Sequence, residues 1–241
     1  KMKKQQVVIV GYGEIGQAIA QLYSHDLYDL HLVDVDSPTC QCSCDILHIC
    51  FPYSESFVAE VEKYISQVSP RLAVIHSTVH PGTCDEIEFD SLVYSPVVGI
   101  HPHLHKCLKI FKKFVAGKNK VSAIEACKHF AELGIGTLTF KCCKSLETAK
   151  TLCTLYYGMC IAFHDEVHEL CQREGLDYAE VMTLWNSEYN SGYKKLGKMN
   201  VVRPVLSPAH GKIGGHCVIP NAQMIADYFS SPIVDYVLRL K

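Results

Sequence analysis

The stretch Val7-Val8-Ile9-Val10-Gly11-Tyr12-Gly13-Glu14-Ile15-Gly16 decides how the rest of the chain reads. Its four β-branched residues predict a short buried strand, and the apolar residues Ile19, Ala20, Leu22 and Tyr23 that follow recur at helical spacing. Between strand and helix each glycine has its own task. Gly11 permits the turn, Gly13 lets backbone approach a pyrophosphate, and Gly16 lets the helix pack on the sheet with its N-terminus toward the phosphate charge. Tyr12, Glu14 and Ile15 fill the turn between them. Asp34, near the end of a second predicted strand at 30–36, is suited to accept hydrogen bonds from adenosine ribose hydroxyls. No Lys or Arg lies between Val35 and Asp45 to neutralise a 2′-phosphate, so the expected cofactor is NAD rather than NADP.

Outward from this unit, strands predicted at 45–51, 72–79, 91–99, 112–117 and 136–142 alternate with helices at 55–68 and 122–134, the second ended by Gly134. That alternation predicts an α/β fold, a doubly wound parallel sheet of Rossmann type. From Ser145 the texture changes. Leu146, Ala149, Cys153, Tyr156, Cys160, Phe163, Val167 and Leu170 recur at threes and fours, predicting one long helix that reaches Gly175. Asp177 reads as the N-cap of another helix, and 200–221, rich in Pro and Gly, as an ordered loop before a short final helix. The expected domains are a dinucleotide-binding half at 1–144 and a smaller helical half at 145–241.

Composition narrows the function classes. With 241 residues, 48% hydrophobic and 20% charged, the chain has the makings of a folded core. Its 23 basic and 25 acidic side chains leave a formal net charge of −2, which gives no basic field for nucleic acid or an anionic membrane. No apolar run is long enough to span a bilayer, and the lysine-rich start passes directly into the first strand without an apolar leader. The expectation is a cytoplasmic protein that takes a small-molecule substrate and has no nucleic-acid or membrane partner. The 13 cysteines are scattered through apolar runs and read mainly as core thiols. Neither the Cys40, Cys42, Cys44 run nor the Cys142-Cys143 pair has Cys-x-x-Cys spacing, so no metal is assigned.

Three further segments join the glycine turn. They are Ser77-Thr78-Val79-His80-Pro81-Gly82-Thr83, the long helix carrying Glu147, Lys150 and Glu166, and Ile213-Gly214-Gly215-His216-Cys217-Val218-Ile219-Pro220-Asn221. In this order the four resemble the UDP-glucose/GDP-mannose dehydrogenase family, from Val7 to about Asn221. The resemblance implies an NAD-dependent enzyme that oxidises the primary alcohol of a nucleotide sugar to a carboxylate by two hydride transfers, through a thiohemiacetal and a thioester on one cysteine. It implies Cys217 as nucleophile, Lys150 as the cation that stabilises an oxyanion, and Thr78 as the residue that places a water near the nicotinamide. Pro52 and Thr78 join the glycine turn on the cofactor side, and the long helix becomes a homodimer interface. Read from the residues alone, the Gly-Gly bend exposes Cys217, and His216 beside it favours a thiolate; Lys150 fits either a catalytic or a solvated helix lysine.

The chain also departs from that pattern. Thr154 stands where the family has Asn, and Asn221 where it has Asp. Ser95-Pro96-Val97-Val98 replaces the family's Asn-Pro-Glu-Phe, which removes the glutamate implicated in thioester hydrolysis. An amide can orient a water but cannot take its proton, and valine does neither. The family's second αβ domain, which grips the nucleotide, has no counterpart in the stretch after Cys217, so the expected substrate is a small alcohol or aldehyde, sugar-derived or otherwise. His101-Pro102-His103-Leu104-His105 falls close to the lost glutamate; in an extended segment its histidines would share one face, as metal ligands or with His101 as a replacement base. Trp185, Tyr189 and Tyr193 fit helix packing or a sugar platform. Two alternatives stay open beside the dehydrogenase: an NAD-binding regulatory protein without turnover, and a histidine/cysteine metal enzyme.

Overall fold

The computed structural model describes residues 4–34, 44–214 and 217–240, so Cys40, Cys42, Gly215 and His216 lie outside the described residues. Contacts divide the chain into two compact units, Lys1–Lys150 and Thr151–Lys241.

In the first unit a seven-stranded sheet is built from β1 (Gln5–Val10), β2 (Tyr28–Val33), β3 (Ile46–Ile49), β4 (Leu72–Ile75), β5 (Leu92–Tyr94), β6 (Lys113–Gly117) and β7 (Thr137–Thr139), in the order β2-β1-β3-β4-β5-β6-β7. The pairings are parallel except β5 with β6, where Val93 faces Gly117 and Tyr94 faces Ala116. The fold is thus the Rossmann-like one the sequence predicts, with one antiparallel step the alternation does not reveal. The helices α1 (Glu14–Ala20), α2 (Phe57–Val68), α3 (Thr83–Glu86), α4 (Leu104–Ile110) and α5 (Lys120–Glu132) cover both faces. Strand pleating sorts the core. Val8, Val10, Leu47, Ile49, Ala73 and Ile75 pack with Phe57 and Val61 of α2 on one face. Val7, Ile9, Ile46, Leu72, Val74, Val93 and Val115 pack with Ile19, Leu108 and Phe130 on the other.

Several predicted strands are shorter than expected. The 91–99 run stops at Tyr94, because Pro96 has no N–H to donate to a ladder. Residues 101–105 are not extended. The His101–Pro102 peptide is cis, His103 caps α4, and His105 lies inside that helix. The three histidines therefore do not share the face an extended strand would give them. Helix α5 begins at Lys120, two residues before the predicted start, because Asn119 accepts the Ser122 N–H at 2.9 Å in a capping box.

The long helix α6 (Cys143–Glu174) has 32 residues, and the division between the units falls inside it. In the second unit Asp177 Oδ1 accepts the Ala179 N–H at 2.8 Å, the capping bond expected of it. A π-helical turn at Ala179–Leu184 leads into α7 (Trp185–Lys195). The loop predicted to reach Asn221 ends at Cys217, and two helices rather than one close the chain, α8 (Val218–Tyr228) and α9 (Pro232–Leu238). Leu155, Ile213, Val218, Ala222, Ile225, Val234 and Val237 form this unit's core.

Within the first unit, Glu147 ties α6 to the turn that follows β4. Its fully buried carboxylate accepts the Gly82 N–H at 2.6 Å and the Cys84 N–H at 2.9 Å. Glu147→Ala strands two buried donors and should destabilise the protein by about 2–5 kcal/mol, read as a lowered midpoint in thermal or urea unfolding.

Candidate functional site

The glycine turn lies at the carboxyl end of β1, between β2 and β3, where the strand order reverses. Gly11 has φ +87°, and a Cβ there would fall 2.6 Å from the Phe51 nitrogen. A Cβ on Gly16 would fall 2.0 Å from the Gly11 carbonyl oxygen, so the third glycine is what allows α1 to sit against the turn. A Cβ on Gly13 would meet nothing within 4 Å, so the space beside this backbone is open to a ligand. Asp34 Oδ2 accepts the Tyr12 N–H at 3.1 Å, which places the acid of β2 beside the turn. Pro52 and Thr78 follow β3 and β4 at the same end of the sheet, Pro52 exposed and Thr78 half-buried. The Ser77 hydroxyl joins their two segments by donating to the Phe51 carbonyl at 2.5 Å. Together these residues fit a dinucleotide on the strand ends. His101, exposed, pairs through Nδ1 with the Glu14 carboxylate at the start of α1.

Lys150, the last residue of the first unit, is half-buried, and its ammonium donates to the Val97 carbonyl at 2.9 Å. In the second unit Cys217 is exposed immediately before α8. Asn221 sits in the first turn of α8, where its N–H donates to the Cys217 carbonyl at 3.1 Å and its side-chain amide to the Thr154 hydroxyl at 3.2 Å. Thr154 and Asn221, two of the positions that differ from the family pattern, are therefore joined to each other.

One polar constellation escapes the motif reading. Tyr23, just beyond α1, His48 of β3, His76 after β4, Ser95 after β5, Lys113 at the start of β6 and His129 of α5 are all buried. The strand side chains among them share one face, each two residues from Ile46, Val74, Val93 or Val115. Their bonds have a single direction. The Ser95 carbonyl only accepts, so His76 Nδ1 donates to it at 2.9 Å, and the neutral ring's Nε2 accepts from His48 Nδ1 at 2.8 Å. His48 Nε2 then accepts the Tyr23 hydroxyl proton at 2.5 Å, and Tyr23 Oη accepts from His129 Nε2 at 2.6 Å. Lys113 Nζ donates to the Ser95 carbonyl at 2.8 Å and the Pro96 carbonyl at 3.3 Å. Burial holds His48 and His76 well below the usual imidazole range, lowers His129 to about 4, and lowers Lys113 to about 7. Strand alternation was the available signal for these residues; the motifs carried none.

Among the described residues no group of three His, Cys, Asp or Glu side chains is arranged to hold a metal ion, and no helix is long and apolar enough to cross a membrane. No protein-family profile and no curated protein matches the chain. Solved structures do share its fold, several dehydrogenases among them. The UDP-D-ManNAc dehydrogenase of Pyrococcus horikoshii aligns over 98% of this chain and 68% of its own, with TM-score 0.81 and 15% identity. The UDP-N-acetyl-mannosamine dehydrogenase of Staphylococcus aureus aligns over 98% and 67%, with TM-score 0.74 and 17% identity. The 3-hydroxyisobutyrate dehydrogenase of Mycobacterium tuberculosis aligns over 98% and 92%, with TM-score 0.69 and 12% identity. The fold implied by the motif resemblance is the fold these UDP-sugar dehydrogenases have, a Rossmann-like sheet followed by a helical region.

Two outcomes follow from the thiols and the buried bases. The Ser145 hydroxyl and N–H hold the exposed Cys142 thiol below its ordinary value, whereas burial raises Cys44 to about 12. Limiting alkylation with peptide mapping should label Cys142 and Cys217 ahead of the buried thiols, and Ser145→Ala should slow Cys142 roughly 3-fold. For the bases, the unfolded chain binds a proton that folded His129 refuses between about pH 4 and ~6.5, so stability should fall on acidification through that window. Folded Lys113 likewise refuses a proton above about pH 7 that the unfolded chain keeps to ~10.4. Stability should therefore gain up to ~1.4 kcal/mol per unit as pH rises from 7 to 8, and urea unfolding of Lys113→Met should lack that gain.

Proposed function

We propose that the chain binds NAD at the Gly11–Gly16 turn and oxidises an alcohol or aldehyde group of a small, sugar-type substrate, with Cys217 as covalent nucleophile. The observation that carries this reading is the turn itself: Gly11 and Gly16 in conformations and contacts that exclude a side chain, open space at Gly13, and Asp34 beside Tyr12. NAD, when bound, supplies the hydride acceptor. Its ribose hydroxyls would be held by Asp34, its pyrophosphate by the turn, and its remaining length by the segments of Pro52 and Thr78.

The chain's own groups then divide the work. Thr78 positions a water, and the Lys150 ammonium stabilises the alkoxide oxygen from which hydride departure makes a carbonyl, and the oxyanion formed when a thiolate adds to that carbonyl. The Cys217 sulfur attacks the aldehyde carbon, and Asn221 with Thr154 orients groups one helical turn away. No carboxylate stands at Val97 or Asn221 to take a proton from water, and losing a general base costs ~10²–10⁴-fold in rate. Release of an acyl group from Cys217 is therefore the slow step, with His101 the replacement base to test. Helix α6 exposes Leu152, Tyr156, Phe163 and Leu170 at fours and sevens, a stripe suited to a second copy of the chain in a homodimer.

Calorimetric titration tests the cofactor. NAD should bind at least roughly 10-fold more tightly than NADP, because Asp34 repels a 2′-phosphate; equal affinity, or binding of neither, would remove the reading. With NAD and a panel of sugar alcohols and aldehydes, the expected result is one-step oxidation or a slowly cleared Cys217 adduct seen by intact mass. Rapid production of two NADH per carboxylate, unchanged in His101→Ala, would contradict the slow release. Binding without turnover on any of them would favour a regulatory NAD-binding protein.

A further inference from the structure

Beyond β5 the backbone leaves the sheet at Ser95, and Pro96 has no N–H, so the carbonyls of residues 95–97 need donors from side chains. Two lysines from different elements supply them. Lys113 of β6 reaches the Ser95 and Pro96 carbonyls at 2.8 and 3.3 Å, and Lys150 of α6 reaches the Val97 carbonyl at 2.9 Å. His76 donates to the Ser95 carbonyl as well, and the Ser95 hydroxyl donates to the Phe114 carbonyl at 2.7 Å.

A lysine buried to 3% exposure is a costly residue where a methionine of similar length would fill the same space. What the amino group adds is a grip on two successive carbonyls, since protonated or neutral it keeps N–H donors for both. We propose that Lys113 is a positioning residue for Lys150: by holding the Ser95 and Pro96 carbonyls it fixes the adjoining Val97 carbonyl, and so sets where the Lys150 ammonium stands. This rests on the reading of Lys150 as the oxyanion-stabilising cation of the proposed site. The groups that act on Lys113 are the Cys50 thiol, the Lys150 ammonium, the His76 and His48 rings, and the face of Phe130, whose centroid is 5.3 Å from Nζ. Lys150 is a like charge that acts on Lys113 across the same three carbonyls.

The test is the acetylation rate of Lys150 by limiting N-hydroxysuccinimide acetate, read by peptide mass spectrometry on the full chain. Lys113→Met should raise that rate roughly 3- to 10-fold, because a charge-assisted bond is loosened, and Lys113→Arg, which keeps two donors, should restore it. Lys118, whose ammonium bonds the Ile87 carbonyl, is the internal control and should be unaffected. An unchanged Lys150 rate in folded Lys113→Met, or equal acceleration at Lys118, would overturn the assignment. Should Lys113→Met not fold, Lys113→Gln replaces it under the same labelling: the Lys150 rate should again rise relative to Lys118, and no rise would overturn the assignment. Failure of NAD to bind would remove the proposed function without altering either lysine result, whereas unchanged labelling with NAD binding intact would remove only this inference.

Discussion

A sheet covered by helices on both faces leaves the side chains of its inner strands no route to water. A polar group placed there finds its partners within the protein or goes without, and that constraint shapes the polar face of the first unit. His48, His76, Ser95 and Lys113 point to the same covered face, and each is accommodated because its neighbour is also polar. The result is a chain of bonds whose direction is set at one end by a carbonyl that can only accept. Replacing one member with an apolar residue would leave its neighbours unpaired, so the group stands or falls together.

The same economy shapes the strand ends. The segment after β5 lacks the glutamate expected from the family resemblance, yet its main chain is held by two lysines and a histidine. The second unit shows a parallel case, where the two departures Thr154 and Asn221 bond to each other. Both places keep an ordered frame through side-chain bonds to backbone or to each other.

The fold was legible because its signals are local: a β-branched run, three glycines and an acid at the next strand end, then alternating strands and helices. The antiparallel β5–β6 step was not, since strand direction depends on a crossover that leaves no residue pattern of its own. The extended reading of His101 to His105 failed because alternation was counted across Pro102, where the chain turns into α4. Among the candidate site residues, Asp34 bonds the Tyr12 N–H of the glycine turn, and the half-buried Lys150 bonds the Val97 carbonyl, contacts that no sequence spacing specifies. Tyr23 and His129 were invisible as partners of His48, because residues distant in sequence meet only after α1 and α5 dock on the sheet.

The strand order β2-β1-β3-β4-β5-β6-β7 has a further meaning for how the chain is made. After the single reversal at β1, every new strand is laid beside the one synthesised before it. A ribosome releasing this chain would present each strand to an edge already waiting for it, with no gap held open for a later segment. Assembly can then keep pace with synthesis, and the exposed edge passes outward from β3 until β7 becomes the last border.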